Sequence, residues 1–400
     1  MDYTVRRTCR LCGGELELLL LLPDTPLANE YPRRRGDWQE KFPLYLSQCC
    51  DCRHVQMPVQ VSPERLFSDY QYQSGTSPVF RAHLEELAVR VTRLLGGTDK
   101  RILEIGSNDG TLLRALADCG HYPLGIEPAR NLANAASRAG LPTLCRFWPD
   151  FTGEKPPGEQ DAVIALNVYA HVADMDGFTA AVKRVLKRGG WFIFEVGYLR
   201  DVVERGHFDV IYHEHLDYHQ LRSLDPFLRR HGLYLRDVER NESQGGTIRC
   251  FASTEDGEQS ESLKRLLAEE KVALNQEALF NFWVDTRTAR DEIAQAIYTA
   301  SQRGPVDGYG CPAKLTTLAY ACGLGQHRIR RIYEDNSLKV GRYTPGTHIP
   351  IVGTEKLYRA PPETLVIFAW NFAEDIMRRC RENGFDGTFI VPMPKVQVIS

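Results

Sequence analysis

Arg101-Ile-Leu-Glu104-Ile-Gly106-Ser-Asn108-Asp109-Gly110 is the stretch on which the fold is read. Arg101–Ile105 reads as a strand running into a glycine-rich turn, and a helix follows over 112–119. Glycines there let the backbone approach a ligand and present amides at a helix N-terminus. Twenty-one residues after Gly106, Gly125-Ile-Glu127-Pro closes a second strand, Tyr122–Ile126, with an acid placed to bond ribose hydroxyls. Helix 131–139, strand 161–166, helix 178–186 and strand 191–196 continue the alternation. This pattern predicts βαβ units and a parallel, doubly wound sheet. A helix over 78–95 precedes it, with Phe80, Leu84, Leu87 and Val91 at helical spacing and Gly96-Gly97 at its end.

A dinucleotide loop would show GxGxxG at this point. This chain has GxNxG with Glu104 just before it, which resembles the S-adenosylmethionine loop of class I methyltransferases. That resemblance implies acidic residues facing a cationic, phosphate-free cofactor. The cofactor-binding residues it indicates are Glu104, Gly106, Asn108, Asp109, Gly110 and Glu127, with Asn167 of Asn167-Val-Tyr-Ala-His171. Asn108 stands where a glycine is usual.

Composition frames this core. Four hundred residues are long for one domain, and 43% hydrophobic with 25% charged residues is a soluble globular balance. A formal charge of −3 gives no footprint for nucleic acid. The apolar run 18–22 is too short to span a bilayer, and Glu15 and Glu17 interrupt any signal-peptide core. A cytoplasmic protein with reduced thiols is the expectation.

Cys9-Arg-Leu-Cys12 is followed, after thirty-six residues, by Cys49-Cys-Asp-Cys52. Two CxxC turns let Cys9, Cys12, Cys49 and Cys52 surround one tetrahedral, structural Zn2+. Strands over 16–22 and 42–46 make this a zinc ribbon, with Cys50 outside the preferred register.

The last third opens with a charged helix over 260–301, broken near Asn275. Strand 305–309 then enters Gly308-Tyr-Gly310-Cys-Pro-Ala313-Lys314, a G-x-G-x-x-A loop with Asp335 about twenty-five residues on. Helix 315–322 and strands 330–334 and 365–368 complete a second, smaller Rossmann-like unit. Pro312 and Lys314 suit a loop for one anionic ligand, the lysine adding a point charge beside the helix dipole. Arg342 and Tyr343 of Gly341-Arg-Tyr-Thr-Pro-Gly-Thr-His348 extend that pocket.

Between these units lies His207-Phe-Asp-Val-Ile-Tyr212-His213-Glu214-His215-Leu-Asp217-Tyr218-His219. Four histidines, two tyrosines and three carboxylates in thirteen positions have no structural necessity. Histidine is the usual proton-transfer side chain near neutral pH, so the segment reads as catalytic. A polar surface turn is the bland alternative, and a metal hydrolase site built on His213 and His215 is a weaker one.

EIGSNDG, NVYAHVADM, FEVGYL, IYHEHLDY, QGGTIRCF, GYGCPAK, GRYTPGTHIPI and AWNFAEDI occur in this order along the chain. With the paired CxxC turns they resemble the nucleotide-sugar C-methyltransferases that build branched deoxysugars. The resemblance implies a zinc-binding domain (1–68), a class I methyltransferase domain (69–256) and a Rossmann-like nucleotide-sugar-binding domain (257–400). It implies methylation of a sugar carbon, commonly C-3, beside a C-4 ketone, on a nucleotide-linked keto-deoxysugar with dTDP the expected carrier. Removing the proton beside a carbonyl needs a base and a donor to the enolate oxygen. His215 is assigned as base, and Tyr212 shares that role or donates to the C-4 oxygen. Glu214 orients His215, His171 bonds the C-4 oxygen, and Tyr72 (or Tyr70) lines the pocket. His213 is read as structural, and Tyr218 and His219 as equally compatible with the surface. The competing functions are O- or N-methylation of the same sugar, a nicotinamide oxidoreductase and a binding protein.

Overall fold

The structure is a computed structural model describing residues 3–68, 74–76, 78–150 and 158–400. Tyr70 and Tyr72 lie outside the described residues.

The central sheet has seven strands in the order Tyr234–Asn241, Thr247–Ser253, Leu186–Gly197, Gln160–Leu166, Arg101–Ile105, Tyr122–Ile126, Thr143–Leu144. The last five in that order are parallel. Thr247–Ser253 runs antiparallel to both of its neighbours. The parallel, doubly wound sheet read from the sequence is present in those five strands, and an antiparallel pair of strands is added at one edge. A short turn through Gly245 and Gly246 joins the two added strands, and a hairpin of that length can only return antiparallel. Strand order reverses between Arg101–Ile105 and Gln160–Leu166, so a crevice opens at their carboxyl ends, beside Gly106 and Asn167. Helix Pro78–Leu94 buries Phe80, Leu84, Leu87, Ala88 and Val91. It packs on Thr111–Asp118 through Leu112, Ala115 and Leu116.

The N-terminal region forms an antiparallel sheet. In Leu16–Thr25 the buried Leu20 and Leu22 flank the exposed Leu21, the period of a half-buried strand. Phe42–Cys49 and Val55–Gln56 follow. The fourth strand of this sheet is Asp217–Tyr218, from the histidine-rich segment far along the sequence. Asp217 pairs with Gln56 and Tyr218 with Val55.

The C-terminal unit is a six-stranded sheet ordered Ile351–Gly353, Ile332–Glu334, Val306–Tyr309, Thr364–Ile367, Thr388–Val391, Gln397–Ile399, parallel apart from the last pair. Its core is continuous with that of the ribbon: Leu20, Phe42 and Val55 share one apolar cluster with Phe208, Ile211, Leu315 and Val366. The break read near Asn275 is present, dividing Glu261–Ala273 from Gln276–Ser301, and the side chain of Asn275 caps the second helix by accepting from the Ala278 amide. Leu263 and Leu266 of the first helix lie in the core of the central sheet. That helix thus packs with the central sheet, although it follows position 257. No helix among the described residues is long and apolar enough to cross a membrane.

Candidate active site

The cofactor loop is shaped by left-handed backbone at Gly106 (φ 72°), Asn108 (φ 51°) and Gly110 (φ 81°). A Cβ at Gly106 would stand 2.3 Å from Val168 Cγ2, and one at Gly110 2.5 Å from Leu141 Cδ1, so both glycines are sterically required. Asparagine tolerates this conformation better than most residues, which is how Asn108 can replace a glycine.

Every loop amide is already engaged. Gly106 and Ser107 donate to the Ile126 carbonyl, and Gly110 to that of Ser107. The Asn108 amide donates to Glu127 Oε2 at 2.8 Å, and the Asp109 amide to the Asn108 side chain at 2.9 Å. A pyrophosphate would need these donors free. Instead the crevice offers acids. Glu127 Oε1 takes the Ala129 amide at 2.8 Å, which fixes the carboxylate and leaves lone pairs for ribose hydroxyls. Glu104 is buried, and among the described residues its Oε2 has no hydrogen-bond partner, as is also true of Ser107 Oγ. Burial, then the neighbouring Glu127 and Asp109, push the Glu104 carboxyl well above its ordinary pKa. Burial likewise raises Glu127. Crowded acids with no free amides fit a positively charged, phosphate-free cofactor.

The side chains of Asn108 and Asp109 also brace the loop. Asn108 Oδ1 accepts the Ser74 amide at 3.0 Å and Asp109 Oδ2 the Gly75 amide at 2.8 Å, while Asp109 Oδ1 accepts the Thr111 hydroxyl at 2.6 Å. Their side chains hold the 74–76 turn against the loop. Asn167 (φ 54°) closes the crevice from the next strand, its amide bonded to the Glu195 carbonyl at 2.8 Å.

The histidine-rich segment runs from the cofactor domain into both neighbours, and it is buried rather than a surface turn. His207, Asp209, His213, Glu214, Asp217, Tyr218 and His219 are all buried, which excludes the surface alternative for the last two. Tyr212 and His215 are only half-buried. The Tyr212 hydroxyl is 2.8 Å from His215 Nε2, and His215 Nδ1 is 2.8 Å from the Val210 carbonyl. A carbonyl only accepts, so Nδ1 carries the proton and Nε2 presents its lone pair to the tyrosine. Burial, then the adjacent His171, bring the His215 pKa down to about 3. Both ring nitrogens are thus occupied, and the Val210 carbonyl orients the ring. Glu214 Oε1 accepts from Asn29 Nδ2 at 2.6 Å, and its carbonyl takes His171 Nδ1 at 2.5 Å.

The His171 ring centroid is 5.1 Å from that of His215. Burial lowers its pKa, against the carbonyls of Glu214 and Asn167. A neutral ring with Nδ1–H committed to Glu214 offers an acceptor at Nε2. His213 is structural as read, with Nε2 3.1 Å from the Pro43 carbonyl and its ring 5.6 Å from that of Phe42.

A cleft of about 360 Å³ flanks this segment, walled by Asn29, Tyr31, Trp38, Arg65, Glu214 and Arg342 among others. Lys314 is not in its walls. It opens helix Lys314–Ala321, donates to Asn371 Oδ1 at 2.6 Å and lies 3.4 Å over the Trp370 ring. Burial brings its pKa down to about 8, with Asp209 opposing. Asp209 also accepts from Trp370 Nε1 at 2.6 Å, and Thr317 Oγ1 donates to the Ile211 carbonyl at 2.6 Å. Arg342 thus shares the cleft with Glu214, while Lys314 lies near Asp209 of the same segment. Tyr343 is half-buried, its amide bonded to the Pro32 carbonyl at 3.0 Å. In the glycine loop itself, Glu334 and not Asp335 takes the Cys311 amide, at 2.7 Å, while Asp335 takes the Tyr309 hydroxyl at 3.0 Å.

In the ribbon, the ligand atoms of Cys9, Cys12, Cys49 and Cys52 all lie within 4.8 Å of one another. The Cys9–Cys52 and Cys12–Cys49 sulfurs are 3.5 and 3.4 Å apart, close to the edges of a zinc tetrahedron. A Cβ on Gly14 would meet the Cys49 sulfur at 3.0 Å, so glycine there keeps the cluster open. Cys50 is outside it. Such a site is closed and structural.

Sequence reading missed Arg10, Asn29, Val210 and Glu195. Glu195 is fully buried, with both oxygens 3.0 Å from His83 Nε2 and Oε2 3.1 Å from Arg249 Nε. Only distant pairing defines these roles, and no local pattern announces them.

The glycine loop, acid and zinc cluster together define an S-adenosylmethionine-dependent methyltransferase with an appended zinc-binding domain. Family models agree: a zinc binding domain matches residues 9–67, a methyltransferase domain 80–238 and a C-methyltransferase C-terminal domain 242–394. The C-methyltransferase NovU of Streptomyces niveus is 32% identical over 98% of this chain and 96% of its own length. The chain belongs to this family of C-methyltransferases. A ubiquinone biosynthesis O-methyltransferase of Chromobacterium violaceum is 30% identical, but over only 24% of this chain and 43% of its own. Among solved structures, the magnesium protoporphyrin IX methyltransferase of Synechocystis with bound SAH aligns at 13% identity, covering 46% of this chain and 90% of its own, at a TM-score of 0.36.

Proposed function

We propose that this C-methyltransferase acts on a nucleotide-linked keto-deoxysugar, adding a methyl to the carbon, commonly C-3, beside a C-4 ketone by way of an enolate. The observation that carries the reading is the Tyr212–His215 pair, whose tautomer is set by the Val210 carbonyl. O- or N-methylation starts from a nucleophile that already has a lone pair. Carbon methylation starts from a C–H bond and needs a neutral base with a proton relay.

The chain's part in the reaction follows from that geometry. His215 Nε2 takes the Tyr212 phenolic proton as the tyrosine oxygen takes the proton from the sugar carbon. The electron pair of the broken C–H bond moves into the enolate, with its negative charge on the ketone oxygen. When bound, S-adenosylmethionine supplies an electrophilic methyl on a sulfonium centre. Glu127 would hold its ribose, Glu104 and Asp109 its positive charge, and Gly106, Gly110 and Asn167 the walls around it. Orienting the two reactants supplies much of the rest of the rate. Lys314 and Arg342 would provide cations for a nucleoside diphosphate, dTDP being the expected carrier. Tyr343 belongs to the same substrate side.

The test is incubation of the enzyme with a 13C-methyl cofactor and a panel of nucleotide-linked 4-keto-deoxysugars, read by NMR. A carbon-bound methyl beside the ketone is expected. A methyl on oxygen or nitrogen would overturn the reading.

A further inference from the structure

Arg10 stands between two zinc ligands, Cys9 and Cys12, yet its side chain turns into the protein and is 1% exposed. Its Nη1 donates to the Leu216 carbonyl at 3.1 Å and its Nη2 to that of Met57 at 2.8 Å. Nη1 also lies 3.6 Å from Asp217 Oδ1. The Arg10 amide donates to Gln56 Oε1 at 2.8 Å. From the second knuckle, His54 Nε2 reaches Asp217 Oδ1 at 2.8 Å, and the Arg53 carbonyl accepts from Gln220 Nε2 at 2.6 Å.

The contacts to Leu216 and Asp217 land immediately after His215. The Leu216 amide donates to the Ala170 carbonyl at 2.8 Å, beside His171, and the Met57 amide donates to the Leu216 carbonyl at 2.8 Å. A fully buried guanidinium is costly unless carbonyls and a carboxylate match its fork. Here they do: Leu216 and Asp217 belong to the catalytic segment, and Met57 directly follows the strand Val55–Gln56 paired with it.

We propose that the zinc knuckles are a positioning device for the catalytic segment, with Arg10 as the linking residue. The metal fixes the Cys9–Cys12 turn, Arg10 transmits that fix to Leu216 and Asp217, and His215 is thereby held against Tyr212. Arg10 touches neither substrate nor cofactor. It is a positioning residue, and the proposal rests on the reading of His215 as the base.

The test is Arg10→Lys, which keeps a charge near Asp217 but lacks the fork that spans two carbonyls. Zinc content, cofactor Kd and sugar KM should stay near wild type. Methyl transfer kcat and solvent exchange at the sugar carbon should fall together by about 10–100-fold, the scale of an ångström misplacement. Amide exchange in peptides covering 212–218 should accelerate while Arg101–Ile105 stays protected. Wild-type rates would overturn the proposal, as would a parallel loss of zinc, cofactor affinity and central-strand protection. Should Arg10→Lys not fold, the holoenzyme is stripped with a chelator and followed by hydrogen exchange. Early loss of protection at 212–218 supports the link, and retained protection in the zinc-free chain refutes it. His215→Asn run alongside separates the two claims, because retained solvent exchange there would sink the base assignment while the protection data still judge Arg10.

Discussion

Tyr212 and His215 form a directed pair, hydroxyl to Nε2 at 2.8 Å with ring centroids 4.0 Å apart. In the resting state the proton of the pair sits on the tyrosine, because His215 Nδ1–H is committed to Val210. A neutral imidazole that already holds a hydroxyl is arranged to receive its proton, not to give one. Tyr212→Phe and His215→Asn should each lower kcat by about 10²–10⁴, the usual range for a lost acid–base group. Cofactor affinity by calorimetry should stay near wild type in both. A Tyr212→Phe enzyme with full turnover would remove the tyrosine from the relay.

The same pair sets the pH behaviour. A free histidine would lose its base function as pH falls through about 6.5. Burial holds His215 down to about 3, so its neutral form persists throughout the physiological range. With saturating cofactor, kcat should show no acidic limb near 6.5 between about pH 5.5 and 7.5. A clear one-proton fall centred there would contradict the geometry. Lys314 gives the opposite edge: with a pKa of about 8 it loses its charge as pH rises through that value. The KM for an anionic nucleotide sugar should rise above pH 8, and Lys314→Met should raise it roughly tenfold at pH 7. Unchanged KM in both experiments would remove Lys314 from the substrate site.

The cofactor loop was legible because its chemistry is local. Gly106, Gly110 and Glu127 lie within about one βαβ unit, and strand–turn–helix spacing fixes their relative places. The same holds for the paired CxxC turns. Longer-range roles were not legible. Glu214 is adjacent to His215 in sequence, yet the chain turns its carboxylate to Asn29, and an anonymous carbonyl at Val210 meets His215 Nδ1. Asp217–Tyr218 joins the ribbon sheet through only two residue pairs, too short for any periodicity to reveal. The antiparallel strands after Gly197 were passed over because the pattern of strand and helix stops there, at Leu199–Glu204 and the catalytic segment.

Crowding of Glu104, Glu127 and Asp109 predicts proton-linked cofactor binding. Burial and mutual repulsion raise Glu104 and Glu127, so without a cation near them they hold protons to higher pH than free acids. A sulfonium favours their ionised forms, so binding should release up to one proton and tighten as pH rises through the raised values, by at most about tenfold per pH unit. Calorimetry in buffers of different ionisation enthalpy measures the release. Glu127→Ala should weaken binding by about 10–100-fold and leave zinc in place. Affinity independent of pH and of Glu127 would overturn the assignment of this crevice.

Cys12→Ser tests the metal site. Losing one of four thiolates should abolish stoichiometric zinc and destabilise the ribbon by on the order of several kcal/mol, since metal binding is folding energy in such sites. Metal analysis and thermal melting with and without added zinc would show it. A folded, zinc-free variant with wild-type melting would refute a structural role for the ion.

The most direct test of the central claim is deuterium uptake from heavy water into a nucleotide-linked 4-keto-deoxysugar, without methyl donor, by wild-type enzyme and by His215→Asn. Uptake at the carbon beside the ketone in the wild type, lost in the variant, is the predicted result. Methyl transfer to the sugar with no exchange at that carbon, or exchange undiminished by the substitution, would contradict an enolate formed by the Tyr212–His215 pair.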